Sequence, residues 1–269
     1  MPSERRGKPD PARSLALLWR TGEPTGRGAG PGLSVDRIVR AAIDLADAAG
    51  IDALTMRRVA EALGVATMSV YTYVPGKAEL LDVMIDTLYG VMSRPAESPE
   101  GWRSRLERIA RENLALYRAH PWLLRAETSR PVLGPNSMAK YDYELGALTG
   151  LGLTDVEMDA VLTLVLGHVR SAARAALDAV NLERETGMTD AQWWQAHAPW
   201  LERLVAPGRY PTAARVGTAA GQAHGTAHDP GYAFEFGLQR VLDGVAVVVG
   251  ERVGGAAVVV DERGADVGR

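Results

Sequence analysis

Residues 66–74, ATMSVYTYV, place small hydroxyls, a thioether and an aromatic ring (Thr67, Met68, Ser69, Thr72 and Tyr73) on a segment too polar to be core. Such groups suit shape contact with base edges, thymine methyls and phosphates. Arg57, near the start of the preceding segment, could reach a guanine or a phosphate. The same spacing is also that of any helical hairpin in an all-helical protein. Catalytic chemistry has thinner support. His224 and His228 in HGTAH have a metal-site spacing, but no acidic or further histidine ligand lies close by, so no metal and no cofactor is expected. With no cysteine, disulfides, thiolate sites and cysteine nucleophiles are excluded. No Gly-rich phosphate loop follows a strand and no serine sits in a nucleophile elbow. No catalytic residue is assigned, and an enzyme remains a remote alternative that turnover of a small molecule would reinstate.

Helices must position these groups. Val35, Ile38, Val39, Ala42, Leu45, Ala46 and Ala49 share one face behind the N-cap Ser34, and Gly50 stops that helix. A second helix runs from the N-cap Thr55 through Val59 and Ala60 to Gly64, a third covers Ala66 to Val74, and after the Pro75-Gly76 turn Lys77 opens a fourth. Two short helices about a tight glycine turn have the logic of a helix-turn-helix. Further helices are expected at 102–117, 136–148, 154–185 (with a Thr154/Glu157 capping box), 189–204 and 233–250, with a flexible loop from Pro207 to Pro230. AAVVVDE near the end is ambiguous between strand and helix. The fold class is all-α.

The chain has 269 residues, 46% of them hydrophobic, enough for a sizeable core. The N-terminus lacks the apolar region of a signal peptide, and no apolar run reaches membrane-spanning length, so a cytoplasmic protein with no membrane partner is expected. The net charge of −3 divides unevenly: +3 over residues 1–33, −1 over 34–80 and −5 over the remainder. Residues 1–33 are rich in Gly and Pro and read as a mobile arm, in which only PARSLALLWR could form a short helix. Arg20 and Arg27 would let such an arm track a DNA groove; a solvated tail is the plainer reading. The expected organisation is an arm at 1–33, a helix-turn-helix domain at 34–80, a helical domain at 81–253 and a tail at 254–269.

Residues 34–88 closely resemble the DNA-binding domain of TetR-family transcriptional regulators, through DLADAAGIDAL, LTMRRVAEALGV and SVYTYVPGKAELL. HPW at 120–122, GPNS at 134–137 and FEFGLQRVLDGV at 234–245 resemble the branch that shares the tetracycline repressor's ligand domain. The resemblance implies that Thr67, Met68, Ser69 and Thr72 face the major groove. It places Tyr71, Tyr73, Lys77 and Thr55 on the phosphate backbone, and Arg57 on a base in some members. It further implies a homodimer reading a palindromic double-stranded operator. A four-helix bundle would then involve Ala172 and Ala176 on one helix and Phe234, Leu238, Val241, Leu242 and Val245 on another.

The implied mechanism is release by a small-molecule effector, with an efflux or resistance gene as the expected target. Aromatic and polar groups at Trp102, Tyr117, Trp122, Tyr141, His168, Trp193 and Trp194 are the candidates for a pocket holding a flat, largely apolar ligand, though for any one of them taken singly a core position is the plainer reading. Because Trp193 and Trp194 are adjacent, they cannot both face one core direction. An activator, or a ligand-independent repressor, with the same DNA-binding domain is the alternative.

Overall fold

The computed structural model describes residues 10–21, 32–95, 101–126, 130–205 and 208–262, with side chains described through residue 250. Among them are twelve α-helices and no strand, so the all-α expectation holds. The helices are α1 (Pro11–Leu18), α2 (Val35–Ala49), α3 (Met56–Leu63), α4 (Thr67–Tyr73), α5 (Lys77–Gly90) and α6 (Trp102–Ala119). They continue as α7 (Leu123–Ala126), α8 (Pro135–Gly146), α9 (Asp155–Thr186), α10 (Asp190–Leu204), α11 (Pro211–His224) and α12 (Pro230–Glu262). The chain divides into two compact units, residues 1–150 and 151–269.

In the first unit the start and stop signals read from sequence have concrete partners. Ser34 Oγ accepts from the Arg37 amide at 3.2 Å and Thr55 Oγ1 from the Arg58 amide at 3.2 Å, so each satisfies a donor that its helix leaves open. Gly64 adopts φ 68°, which a side chain would resist, and the Val65 amide returns to the Ala60 carbonyl at 3.0 Å to close α3. The core then forms from the inward faces: Ile38, Val39 and Ala42 of α2, Val59 and Ala60 of α3, Val70 of α4, and Leu80 and Met84 of α5 are all buried. Leu106, Ile109 and Ala110 of α6 are buried too.

The arm departs from expectation. PARSLALLWR does form a helix, α1, but it is not loose: α1 packs on α5, and Leu18 is only 7% exposed. The Trp19 indole donates to the Leu133 carbonyl at 2.9 Å. An amphipathic turn carrying three leucines can bury one face against a neighbouring helix, and this outweighs the Gly/Pro-rich composition around it. The reading of a mobile arm is corrected for residues 11–21; Arg27 lies outside the described residues.

In the second unit α9 opens with the expected capping box, Thr154 exchanging hydrogen bonds with Glu157, and α10 opens with a similar one between Thr189 and Gln192. Among the described residues α9 is the one helix long and apolar enough, by length and composition, to cross a membrane. Its stripe of Leu162, Val165, Val169 and Ala173 is instead buried in the packing of α9 on α12. The loop expected at 207–230 is a helix over much of its length. Pro211 occupies the first turn, alanines recur through it, and Gly225 ends it at φ 68°. AAVVVDE continues α12 as helix.

The stripe expected to face a partner is also corrected. Phe234, Leu238, Leu242 and Val245 are already buried within the chain, Val241 is half-buried, and α9 is the helix packed on α12. The apolar period marked a helix face that needs burial, and its own neighbour supplies it.

Candidate nucleic-acid interface and effector region

The helix-turn-helix is held from within and presents its polar side outward. Val70 and Val74 are fully buried, which anchors α4 on α3 and leaves Met68, Tyr71 and Thr72 to solvent. Met68 is 73% exposed, and Tyr71 and Thr72 stand exposed beside it, with Thr72 Oγ1 donating to the Met68 carbonyl at 3.1 Å. Thr67, Ser69 and Tyr73 are half-buried, and the Tyr73 hydroxyl is enclosed without a hydrogen-bond partner. Thr55 is occupied as the cap of α3. Arg57 is exposed and paired with Glu61 at 3.2 Å. The Lys77 ammonium donates to the Ile51 carbonyl at 3.3 Å. Arg20, expected on DNA, instead donates to Asp36 at 2.7 Å and to the Leu17 carbonyl at 2.9 Å.

Two carboxylates, Asp47 at the surface and Asp86 in the interior, tie this domain to the helices that follow it. Asp47 of α2 meets His120 Nδ1 at 2.8 Å and accepts from the Trp122 indole at 2.7 Å, while Arg125 pairs with Asp52 at 2.7 Å. The HPW motif is therefore a clamp on the DNA-binding helices, and Trp122, 3% exposed, serves that clamp rather than an open pocket wall. Asp86 of α5, 4% exposed, does the same for α8. It accepts from the Ser137 amide at 2.8 Å, the Ser137 hydroxyl at 2.9 Å and the Asn136 side chain at 3.1 Å. A carboxylate there satisfies the open amides at the start of α8 and complements the helix dipole. Gly134 is required beside it, because a Cβ at that position would overlap the Asp86 carboxylate.

The aromatic candidates for an effector pocket do not form a single wall. Trp102 is half-buried at the start of α6, Tyr117 is buried on the same helix, and Tyr141 of α8 is exposed. His168 stacks on Phe234 at 5.7 Å and donates to the Phe234 carbonyl at 2.9 Å, a contact between α9 and α12. Trp193 stacks on His197 at 4.2 Å in an exposed position, and Trp194 turns into a cleft between α10 and α11. The two adjacent tryptophans do diverge.

Sequence reasoning missed a polar cluster in the first unit. Lys140 pairs with Glu144 at 2.7 Å, and Asn113 of α6 donates to the same carboxylate at 2.7 Å, all three buried. Along α6, Ser104, Glu107, Arg108, Arg111 and Glu112 line an open groove of about 470 Å³. Burial pushes the Glu112 carboxyl above its ordinary range, Arg108 opposes this and Glu144 adds to it. The i, i+4 spacing of Lys140 and Glu144 was the available signal, but it reads equally as a solvated pair. Among the described residues no cluster of three potential metal ligands occurs.

Comparison with known proteins decides the family. The model for bacterial regulatory proteins of the tetR family matches residues 38–84, and that for the tetracyclin repressor-like C-terminal domain matches residues 94–249. The chain belongs to the TetR family. It is 47% identical to the HTH-type transcriptional repressor DrrR1 of Streptomyces coeruleorubidus over 95% of this chain and 93% of that one. ActR of Streptomyces coelicolor in complex with actinorhodin superposes with a TM-score of 0.70 at 26% identity, covering 82% of this chain and 99% of ActR. Its complex with (S)-DNPA gives a TM-score of 0.67 at 26% identity, with 81% and 99% covered. This TetR-family protein is a helix-turn-helix transcriptional repressor, and its relatives are DNA-binding regulators rather than enzymes.

Proposed function

We propose that this repressor binds a palindromic operator as a homodimer and leaves it when a small organic molecule occupies its C-terminal domain. The observation that carries the DNA half is α4: two fully buried valines fix the helix, and Met68, Tyr71 and Thr72 remain uncovered on its outer side, with Thr67 and Ser69 half-covered. A recognition helix needs that combination of rigid seating and free polar and apolar surface to read a major groove. Tyr71, Thr55, Arg57 and Lys77 then lie where phosphate or base contacts would be made, with Lys77 and Arg57 exchanging their present partners for DNA. Tyr73 acts from its buried side as support for α4. Ligand-bound ActR supports the release half.

The dimer contact falls on faces of α9 and α12 not used in packing the two against each other. Leu164, Gly167 and Ser171 are exposed on α9, and Phe236, Val247 and Val248 on α12. Small residues at Gly167 and Ser171 permit close helix approach, with Ala172 and Ala176 half-buried beside them. Release requires that the effector bind the DNA-incompetent form more tightly, and DNA must weaken effector binding by the same factor. The proposed target, an efflux or resistance gene, would be read from the genes beside the operator.

The test is selection of bound sequences from random duplex DNA by the full-length protein, with its mass in solution measured alongside. A recovered palindrome and a dimeric mass are expected. A non-palindromic motif, or a monomer that still binds, would overturn the dimeric reading. Repression, as opposed to activation, predicts that reporter output rises when the gene is deleted.

A further inference from the structure

We propose that the cleft between α10 and α11 is a binding site for a planar, largely apolar organic cation. The proposal deepens the ligand-release reading by naming a place and a charge. The cleft encloses about 540 Å³, within the range of small-molecule sites. Trp194, Ala198, Leu201 and Glu202 of α10, with Val205 at its C-cap, form one side, a helix face at repeats of three and four residues. Across from them Ala213, Ala214, Gly217, Thr218 and Gly221 of α11 form a wall of small residues. The Trp194 ring rests on Gly221, so close that a Cβ there would stand 2.9 Å from the indole nitrogen. Neither helix buries a single side chain.

The charge follows from the lining. Glu202 is its only ionised residue, no Lys or Arg lines the cleft, and Glu202 has no ion-pair partner among the described residues. Of the neighbouring cations, Arg203 lies over the Trp200 ring at 5.1 Å, away from the lining, and Arg209 over the ring of Tyr210, which does line the cleft, at 5.3 Å; Glu202 is the charge carried by the lining itself. An indole face and a carboxylate over an apolar floor favour a flat ring system carrying positive charge, by stacking, cation–π attraction and direct pairing. Gln222 and Thr218 add hydrogen-bonding groups to the lining.

Two probes of similar ring size and opposite charge test this: 9-aminoacridine and anthracene-9-carboxylate, titrated calorimetrically into the full-length protein without DNA. The aminoacridine should bind at least tenfold more tightly. Glu202→Gln should lower its affinity by about fivefold, the scale of a partly exposed ion pair, and leave the carboxylate's affinity unchanged or improved. Gly217→Leu should abolish binding of both. A Cβ at Gly217 meets nothing within 4 Å, so the added side chain fills the cleft and favours the helix, and a melting temperature no lower than that of the parent protein serves as the folding control.

Absence of aminoacridine binding, the same charge preference in Glu202→Gln, or full binding to Gly217→Leu would each overturn the site. A change of oligomeric state in Gly217→Leu would overturn it as well, by making a second copy of the chain the occupant. Release of DNA by some other compound, unaffected by Gly217→Leu, would leave the release reading standing and remove this site. Cleft binding that never alters DNA affinity would do the reverse.

Discussion

Two pairs of short helices behave in opposite ways. In α3 and α4 the inward residues Val59, Ala60 and Val70 are buried to 1% exposure or less, and only the outer side is open. In α10 and α11 nothing is buried, and Trp200, Leu204 and Val216 stand in solvent. The first pair is a rigid instrument whose outer surface acts on something else. The second is a pair of walls whose inner surface is unfilled, and its order depends on local capping, on Thr189 with Gln192 and on Gly225, more than on a core.

The comparison breaks most readily through the core. Leu54→Ala, at a fully buried position, should cost about 2–5 kcal/mol in urea unfolding, and Leu201→Ala on α10 well under about 1. Equal losses would mean that α10 is buried in the assembled protein. Next in size is the α5–α8 junction. Asp86→Ala strands the amides and hydroxyl it serves and should cost about 1–3 kcal/mol, and Gly134→Ala a similar amount by displacing the same carboxylate. The double variant should lose less than the two losses added together, as a thermal unfolding cycle would show.

Tyr71→Ala and Met68→Ala should each weaken binding to a selected operator by about tenfold while moving the melting temperature little, since both side chains stand outside the core. Strong loss of stability instead would make them packing residues. The smallest effect is expected at Asp82. Burial, and then Glu79, raises its pKa, so the folded protein carries a penalty above that pKa that is relieved as pH falls through it. Asp82→Asn should therefore stabilise by a few tenths of a kcal/mol at pH 7, and the gain should fade in acid.

The DNA-binding half was readable because each of its rules is local. Ser34, Thr55 and Gly64 fix where helices start and stop, and the apolar spacing fixes which face turns inward. What failed to read were decisions made at a distance. The Phe234 stripe was correctly apolar, but sequence could not say whether a partner or α9 would cover it. Trp122 and His168 were correctly singled out as aromatic and polar, yet the partners that claim them, Asp47 and the Phe234 carbonyl, lie 75 and 66 residues away. Asp86 gave no local signal at all: within α5 it is one more carboxylate, and only the arrival of 136–137 makes it a cap. The helix at 211–224 was missed because Gly and Thr among its alanines lower intrinsic propensity without forbidding the helix.

The closeness of Gly134 to Asp86 constrains how this lineage can change. A side chain at 134 is admissible only after position 86 has become smaller, and a smaller residue at 86 leaves the start of α8 without its acceptor until a serine or aspartate at 134 takes over that role. Either single step passes through a less stable ancestor. Across related sequences the two positions should thus travel together, as Asp with Gly or as a small residue with a capping one, and mixed pairs should be rare.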